Sequence, residues 1–265
     1  MKPLPFDMTP FAEAIEMPTM TRKTKPMPAT TESAIQFPRH IAQNAGWLSN
    51  LANEQMHALA THVLAHHSEH GLRTLAVTSA LADEGKTTVT LALAEKLASA
   101  DKRVLVVDLD IHRSTLSHEA RLGHQAGALE SSLSRNGDLV PFHCYPTDCK
   151  GVSIMPTGLV DAESGAPLLD PERINGLLKQ AMESFDIVIL DCPPLLPVAD
   201  THVIGEVADR AILVVRANST PKVILEQALQ EFGKERFFAA ILNRAQHYHI
   251  PYFREVYGYY RRAPR

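Results

Sequence analysis

The residues with the clearest chemical potential are a lysine and its neighbouring threonines, which follow an apolar run and a short loop. The segment Ala76-Val-Thr-Ser-Ala-Leu-Ala-Asp-Glu-Gly-Lys-Thr-Thr88 has the order strand, tight loop and helix start. Backbone N–H groups of such a loop and the positive helix end can hold phosphates, while Lys86 adds a charge and the Thr87 hydroxyl can ligate Mg²⁺. Ala80 replaces the first glycine of the phosphate-loop pattern GxxxxGK[ST], so an ordinary strand-to-helix turn with a solvated lysine is the alternative.

Two further apolar runs end in aspartate. Val104–Val107 leads to Asp108 and Asp110, and Ile187–Leu190 leads to Asp191. A lone aspartate at a strand end is usually a cap or turn residue, but capping does not account for three such strand ends, one of them the lysine-threonine turn. Ligands bind beyond the carboxyl ends of parallel strands, and a few carboxylates with water and phosphate suit Mg²⁺. The three segments together predict a Mg·ATP site.

The elements that would position these residues alternate between strand-length apolar runs and helical runs. Continuous apolar runs are typical of parallel strands that are buried on both faces. The sequence therefore predicts an α/β fold of the P-loop NTPase type, a mainly parallel sheet flanked by helices on both faces. The predicted strands are 73–79, 103–109, 152–155, 186–191, 210–216 and 236–243, and the predicted helices are 48–70, 86–99, 171–184, 200–207 and 221–232.

Length and composition favour one folded core with extensions. A chain of 265 residues with 45% hydrophobic and 21% charged residues falls in the ordinary globular range. Residues 1–47 contain a stretch rich in Pro, Thr and Met without a steady period, so we expect a mobile arm there. The expected ATPase domain is 48–245, and 246–265 would form a tyrosine-rich tail.

Charge, cysteines and apolar runs limit the classes of function. The formal charge of −4 gives no electrostatic case for nucleic acid. The three cysteines lack a CxxC spacing, which suits free thiols in a reducing cytosol. The N-terminus lacks the apolar core of a secretory signal, and no apolar run approaches the ~20 residues that span a bilayer. We therefore expect a cytoplasmic protein whose membrane link comes through a partner.

These motifs resemble the bacterial tyrosine kinases of capsule and exopolysaccharide synthesis, relatives of the septum-positioning and plasmid-partition ATPases. The resemblance covers about residues 50–260, and the family tolerates a residue other than glycine at Ala80. It rests on the Walker A turn at 79–88, the Asp-x-Asp Walker A′ at 108–110, the Walker B Asp-x-Pro-Pro at 191–194, the run at 208–216, Leu242-Asn-Arg244 and the tyrosine-rich end.

The resemblance assigns roles to the motif residues, with ATP and Mg²⁺ as cofactors. Lys86 would hold the β and γ phosphates, and Asp108 would be the base towards a tyrosine hydroxyl. Asp110 would act with them in catalysis, and Thr87, Asp110 and Asp191 would hold the metal directly or through water. The expected nucleotide contacts are Asp83, Glu84, Gly85, Lys86, Thr87, Thr88 and Asn243, the last of which would face the adenine.

Five of the six tyrosines lie in the last eighteen residues. The resemblance makes them autophosphorylation sites, and each added phosphate would change the charge of the tail by nearly two units. The alternative is aromatic packing of a tail or an unspecific interface. The tyrosines are Tyr248, Tyr252, Tyr257, Tyr259 and Tyr260.

The chain departs from the family pattern in two places. The family's ExxRxLRTN-like helix, which assembles a homo-oligomeric ring, corresponds to 54–62, where His57 and Ala60 replace both arginines. Histidine and alanine cannot reproduce the bidentate fork of arginine. His112 likewise occupies the arginine position that follows the Walker A′ aspartates, with Arg113 beside it.

The resulting hypothesis is an ATP-dependent protein-tyrosine autokinase that regulates exopolysaccharide or capsule biosynthesis and export. Its activator would be a separate transmembrane co-polymerase, which would place the chain peripherally at the inner membrane. The alternative is a nucleotide-binding scaffold of the same machinery with little or no kinase activity, motivated by the altered residues His57, Ala60 and His112. A partition-type ATPase is disfavoured, because 79–84 lacks that group's extra lysine.

The histidines of the first predicted helix offer a weaker signal. They include pairs at i, i+4 spacing that can bind a metal on one helix face. No carboxylate or cysteine completes such a site, so solvated histidines are favoured. The histidines are His57, His62, His66, His67 and His70.

Overall fold

A computed structural model describes residues 34–39, 50–131, 142–159, 170–196 and 201–245. In these ranges a seven-stranded sheet has the order β3-β4-β2-β5-β1-β6-β7. All neighbouring strands run parallel except β3, which pairs antiparallel with β4 at the edge. The strands are β1 Thr74–Ser79, β2 Val104–Asp108, β3 Tyr145–Pro146, β4 Val152–Met155, β5 Ile187–Asp191, β6 Arg210–Arg216 and β7 Phe237–Asn243. The predicted mainly parallel sheet is confirmed, but the short β3 was not predicted.

Helices cover both faces of this sheet, as predicted. Two of them, α3 and α4, lie in the loop-rich region after β2 and were not predicted. A short 3₁₀ turn, Lys234–Arg236, precedes β7. The helices are α1 Asn50–His70, α2 Lys86–Ser99, α3 Thr115–Glu119, α4 Ala128–Ser131, α5 Pro171–Ser184, α6 Thr201–Val207 and α7 Lys222–Phe232.

The central strands are buried along their whole length, which explains their unbroken apolar character. Every residue of β1, β2, β4 and β5 is buried. One face of the sheet packs Leu105 and Leu190 against α5, and the other packs Leu75 and Val106 against α2. Because both faces are covered, the only free approach to the central strands is at their ends.

Helix α1 precedes the first strand, as predicted, and packs against α2. Its side chains Ala60 and Val63 are buried in the core. Ala60 is one of the positions at which an arginine was expected from the family pattern. Since this side chain faces the interior, the position has no room for a solvated guanidinium, and it cannot serve as a surface contact in this chain.

Residues 34–39 lie against the sheet edge, so the predicted mobile arm 1–47 is wrong for this stretch. Ile35 N donates to Pro146 O at 2.9 Å, and Ile35 forms a parallel bridge with Thr147. The Phe37 side chain is 1% exposed, and Arg39 Nη1 pairs with Asp148 Oδ2 at 2.8 Å. The sequence did not predict this anchor, because a single phenylalanine in a Pro-rich stretch shows no periodic apolar pattern.

Among the helices of the described ranges, none is both long and apolar enough to cross a membrane. The tail 246–265 with its five tyrosines, and most of the predicted arm, lie outside the described residues.

Candidate functional site

The phosphate-binding loop leaves β1 at Ser79 and enters α2 at Lys86. Gly85 has φ of +96°, a conformation that other residues rarely adopt, and a Cβ at this position would clash with the Asn243 amide, so glycine is strongly favoured. Ala80 is fully buried and does not have a positive φ. The first glycine of the usual pattern is therefore not required by the backbone here, and the methyl group packs into the core instead.

Lys86 and Thr87 are the first residues of helix α2, and they lie beside the end of β5. Lys86 is only 8% exposed. Thr87 Oγ1 donates to Asp191 Oδ2 at 2.6 Å, and Thr90 Oγ1 donates to Asp191 Oδ1 at 3.3 Å. The structure therefore brings the predicted Walker A and Walker B residues together, and it adds Thr90, which lies one helical turn after the lysine and was not predicted.

Asp108 lies next to Asp191, because β2 and β5 pair in register at these two residues. The carboxylate of Asp108 is fully buried. Its Oδ1 accepts from Asp110 N at 3.1 Å, and its Oδ2 accepts from Ser117 N at 2.9 Å and Ser117 Oγ at 2.7 Å. Both oxygens are thus occupied by the protein. Ser117 belongs to the short helix α3, and no sequence pattern marked it.

The two neighbouring carboxyls have abnormal acidities. Burial raises the pKa of Asp191 to about 7, and the nearby charge of Asp108 adds to this rise. Burial likewise raises the pKa of Asp108 to about 6, while the hydrogen bonds from Ser117 oppose the rise. A buried pair of like charges favours either a shared proton or a bound cation.

The donor set fits a hard cation with phosphate. Asp191, Thr87 and Asp110 supply oxygen atoms, which Mg²⁺ prefers, and a cation would relieve the repulsion between the buried carboxyls. Within the described ranges, no three His, Cys, Asp or Glu side chains come together closely enough to hold a metal by themselves. Mg²⁺ at this edge would therefore complete its shell with phosphate oxygens and water, as it does in many nucleotide sites.

Glu84 and Asn243 stabilise the phosphate-binding loop through hydrogen bonds. Glu84 is 2% exposed, and its carboxylate accepts from Leu81 N at 3.0 Å and from the Thr220 hydroxyl. Asn243 Nδ2 donates to Glu84 O at 2.8 Å, and Asn243 Oδ1 accepts from Arg244 N at 2.9 Å. The side chain of Glu84 thus points into the protein, and Asn243 lies against the loop. Contact between Asn243 and an adenine stays a prediction.

The outer rim of the site is formed by Asp83 and the loop after Asp110. Asp83 has φ of +62° and is exposed. Asp110 is 5% exposed, and its Oδ1 accepts from Arg113 N at 3.2 Å. The Arg113 guanidinium reaches back to Asp83 across this rim. Thr88, the remaining loop residue predicted to contact nucleotide, is half-buried at the start of α2.

Comparison with known proteins places this site in a family. A family profile described as an AAA domain matches residues 73–234. Tyrosine-protein kinase YwqD of Bacillus subtilis is 28% identical over 196 residues, which are 73% of this chain and 81% of that protein. Tyrosine-protein kinase CpsD of Streptococcus agalactiae is 31% identical over 172 residues, which are 64% of this chain and 73% of that protein.

The architecture is also found in solved structures. The kinase domain of Escherichia coli tyrosine kinase ETK superimposes with a TM-score of 0.62 at 22% identity, covering 83% of this chain and 87% of that one. At this level of identity the likeness concerns the fold alone. It supports the predicted P-loop architecture with a mainly parallel sheet.

Proposed function

The chain belongs to the AAA-domain family and, within it, to the bacterial tyrosine-protein kinases; on that premise we propose that it is an ATP-dependent protein-tyrosine autokinase that regulates exopolysaccharide or capsule biosynthesis and export. The observation that carries the proposal is the contact of Thr87 with Asp191 beside the buried Lys86. Phosphoryl transfer requires positioning and neutralisation of charge on the moving group, and these side chains supply both.

The reaction would move the γ-phosphoryl group of ATP to a tyrosine oxygen. The bond from the γ phosphorus to the bridging oxygen breaks, a bond to the phenolic oxygen forms, and ADP leaves. Lys86 would hold the β and γ phosphates, and Mg²⁺, held by Thr87, Asp110 and Asp191, would neutralise phosphate charge. Asp108 would accept the phenolic proton at Oδ1, which has a second lone pair beside the hydrogen bond from Asp110 N.

The acceptors would be the five tail tyrosines, and the activator would be a separate transmembrane co-polymerase that keeps the chain at the inner membrane. Both points rest on the family resemblance. The same resemblance implies a ring of identical chains, but the buried Ala60 and the histidine at position 57 remove the two arginines of that contact. Any self-association of this chain would therefore use other residues.

The proposal is tested by incubating the full chain with Mg·ATP, alone and with membranes of its host, and mapping phosphotyrosine by mass spectrometry. We expect phosphate on tail tyrosines of the wild type and none on Lys86→Met. Unmodified tyrosines in a chain that binds ATP in both conditions would contradict kinase activity.

A regulatory scaffold without transfer activity is the second candidate, because the proposed base Asp108 is fully buried and accepts hydrogen bonds from Ser117 and Asp110. Replacing all five tail tyrosines by phenylalanine separates the two candidates in cells. An autokinase would lose regulation of polymer export, whereas a scaffold would support export as the wild type does.

A further inference from the structure

One ion pair bridges the two loops that surround the phosphate site. Arg113 Nη1 lies 2.6 Å from Asp83 Oδ1. Asp83 belongs to the phosphate-binding loop, two residues before Gly85, whereas Arg113 belongs to the loop that follows the aspartates of β2. The ion pair therefore joins the phosphate-binding loop to the loop that follows Asp110, beside the proposed nucleotide site.

The backbone of Arg113 is fixed while its side chain is accessible. Arg113 N donates to both Asp110 O and Asp110 Oδ1, each at 3.2 Å, which ties the residue to a proposed metal ligand. The Arg113 side chain is 51% exposed, and the Asp83 side chain is 70% exposed. The base of the side chain is thus held at the site, and its charged end can exchange partners.

The energetics favour such an exchange. An exposed ion pair contributes little to stability, because water screens the charges and two side chains lose conformational freedom. A guanidinium binds phosphate oxygens through two parallel hydrogen bonds, which are stronger than a single contact with a solvated carboxylate. A nucleotide with a third phosphate therefore competes well with Asp83 for Arg113.

We propose that Arg113 is a phosphate-contacting residue that recognises the terminal phosphate of the bound triphosphate, and that Asp83 holds it at the rim while the site contains no triphosphate. The inference rests on the proposed nucleotide site and names a specificity determinant within it.

The test compares two nucleotides rather than catalytic turnover. Isothermal titration calorimetry of the full chain would give affinities for Mg·ADP and for the magnesium complex of the β,γ-imido analogue of ATP. Arg113→Ala should weaken binding of the triphosphate analogue by about tenfold or more, the scale of a lost charge-assisted contact, and change Mg·ADP affinity less than about twofold. Arg113→Lys should lose part of the preference, since it keeps the charge without the fork.

Asp83→Asn distinguishes a phosphate-contacting Arg113 from an Arg113–Asp83 ion pair that only stabilises the structure. Because Asp83 is itself an expected nucleotide contact, the readout is the ratio of triphosphate to diphosphate affinity. If Asp83 only holds Arg113 in reserve, the variant should not lower this ratio. Arg173→Ala is the control, because Arg173 on α5 forms a partly exposed ion pair with the N-cap residue Asp170, and its loss should leave both affinities unchanged.

Two results would overturn the inference. One is an unchanged ratio of triphosphate to diphosphate affinity in Arg113→Ala. The other is an Asp83→Asn variant in which this ratio falls as far as it does in Arg113→Ala, since both sides of a structural bridge would then matter equally. Neither outcome depends on transfer to tyrosine, so a chain that phosphorylates nothing would refute the kinase proposal and leave this test intact.

Discussion

Replacing Asp191 by asparagine should make the nucleotide-free protein more stable than the wild type at alkaline pH and should have less effect under acidic conditions. Burial, aided by the charge of Asp108, raises the pKa of Asp191 to about 7 from its ordinary 3.8. The folded state therefore holds a proton that the unfolded state releases. Stability from this proton is fully present below pH 3.8 and is lost as the pH rises through about 7.

The magnitude follows from the linkage relation. With pKa values of about 7 folded and 3.8 unfolded, the wild type should lose about 2 kcal/mol of unfolding free energy between about pH 5.5 and about pH 8. Asparagine carries no titrating proton, so this loss should be absent. Its side-chain oxygen can still accept from Thr87, which preserves the shorter of the two hydrogen bonds to this residue.

The assay is urea denaturation of both proteins without nucleotide or Mg²⁺ at the two pH values. The stability of Asp191→Asn relative to the wild type should rise by about 2 kcal/mol from the acidic to the alkaline condition. Asp186→Asn is a control without pH dependence in this range. Burial works against a low pKa at Asp186, but its hydrogen bonds and ion pair with Arg103 outweigh this, so its pKa is lowered from 3.8. Asp186 is therefore ionised in the folded and the unfolded state at both pH values, and the variant should be destabilised by the same amount at each. A constant difference between Asp191→Asn and the wild type would refute the reasoning.

Three other substitutions test the structure around the site. Phe37→Ala should lower the unfolding free energy, measured by urea denaturation, by about 3–5 kcal/mol, the scale for truncating a buried phenylalanine. Replacing the exposed neighbour, Gln36→Ala, should be nearly neutral. Equal stabilities of the two variants would mean that residues 34–39 are not anchored to the sheet. Asn243→Ala should weaken the binding of Mg·ADP and of the triphosphate analogue alike, by about tenfold in calorimetry, because Glu84 O loses its hydrogen-bond donor. A loss of affinity for the triphosphate analogue alone would contradict a role of Asn243 in supporting the loop. Gly85→Ala should weaken binding of both nucleotides by about tenfold or more while the circular dichroism spectrum stays native, since φ is positive and a Cβ there would displace the Asn243 amide. Unchanged affinity would contradict the loop geometry.

The repeating strand and helix pattern was predictable because the central strands are buried on both faces and so read as unbroken apolar runs. The same logic located Asp108 and Asp191 at one sheet edge, since parallel strands end together. Strand β3 has only two residues, Tyr145 and Pro146, which is too short for any period to register. The anchoring of Phe37 is a contact across more than a hundred residues, and local pattern cannot report it.

Within the site, the sequence predicted which residue types gather but not how each side chain is oriented. Glu84 was expected to contact nucleotide, yet its carboxylate is buried against Leu81 N and Thr220. Ser117 and Thr90 were not predicted, because residues whose hydroxyl groups donate to a buried aspartate have no fixed separation from it in the sequence. The orientation of Asn243 depends on β7 lying beside the loop, a tertiary relation that appears only once the sheet order is known.

The most direct test of the central proposal is the fate of labelled phosphate from ATP. The full chain would be incubated with γ-labelled Mg·ATP and host membranes, and label on the tail would be compared with label released as free phosphate, using Lys86→Met as the inactive control. The proposed kinase predicts label on tail tyrosines in the wild type that disappears in Lys86→Met. Label found only as free phosphate, with the tail unmodified and ATP still bound, would contradict it.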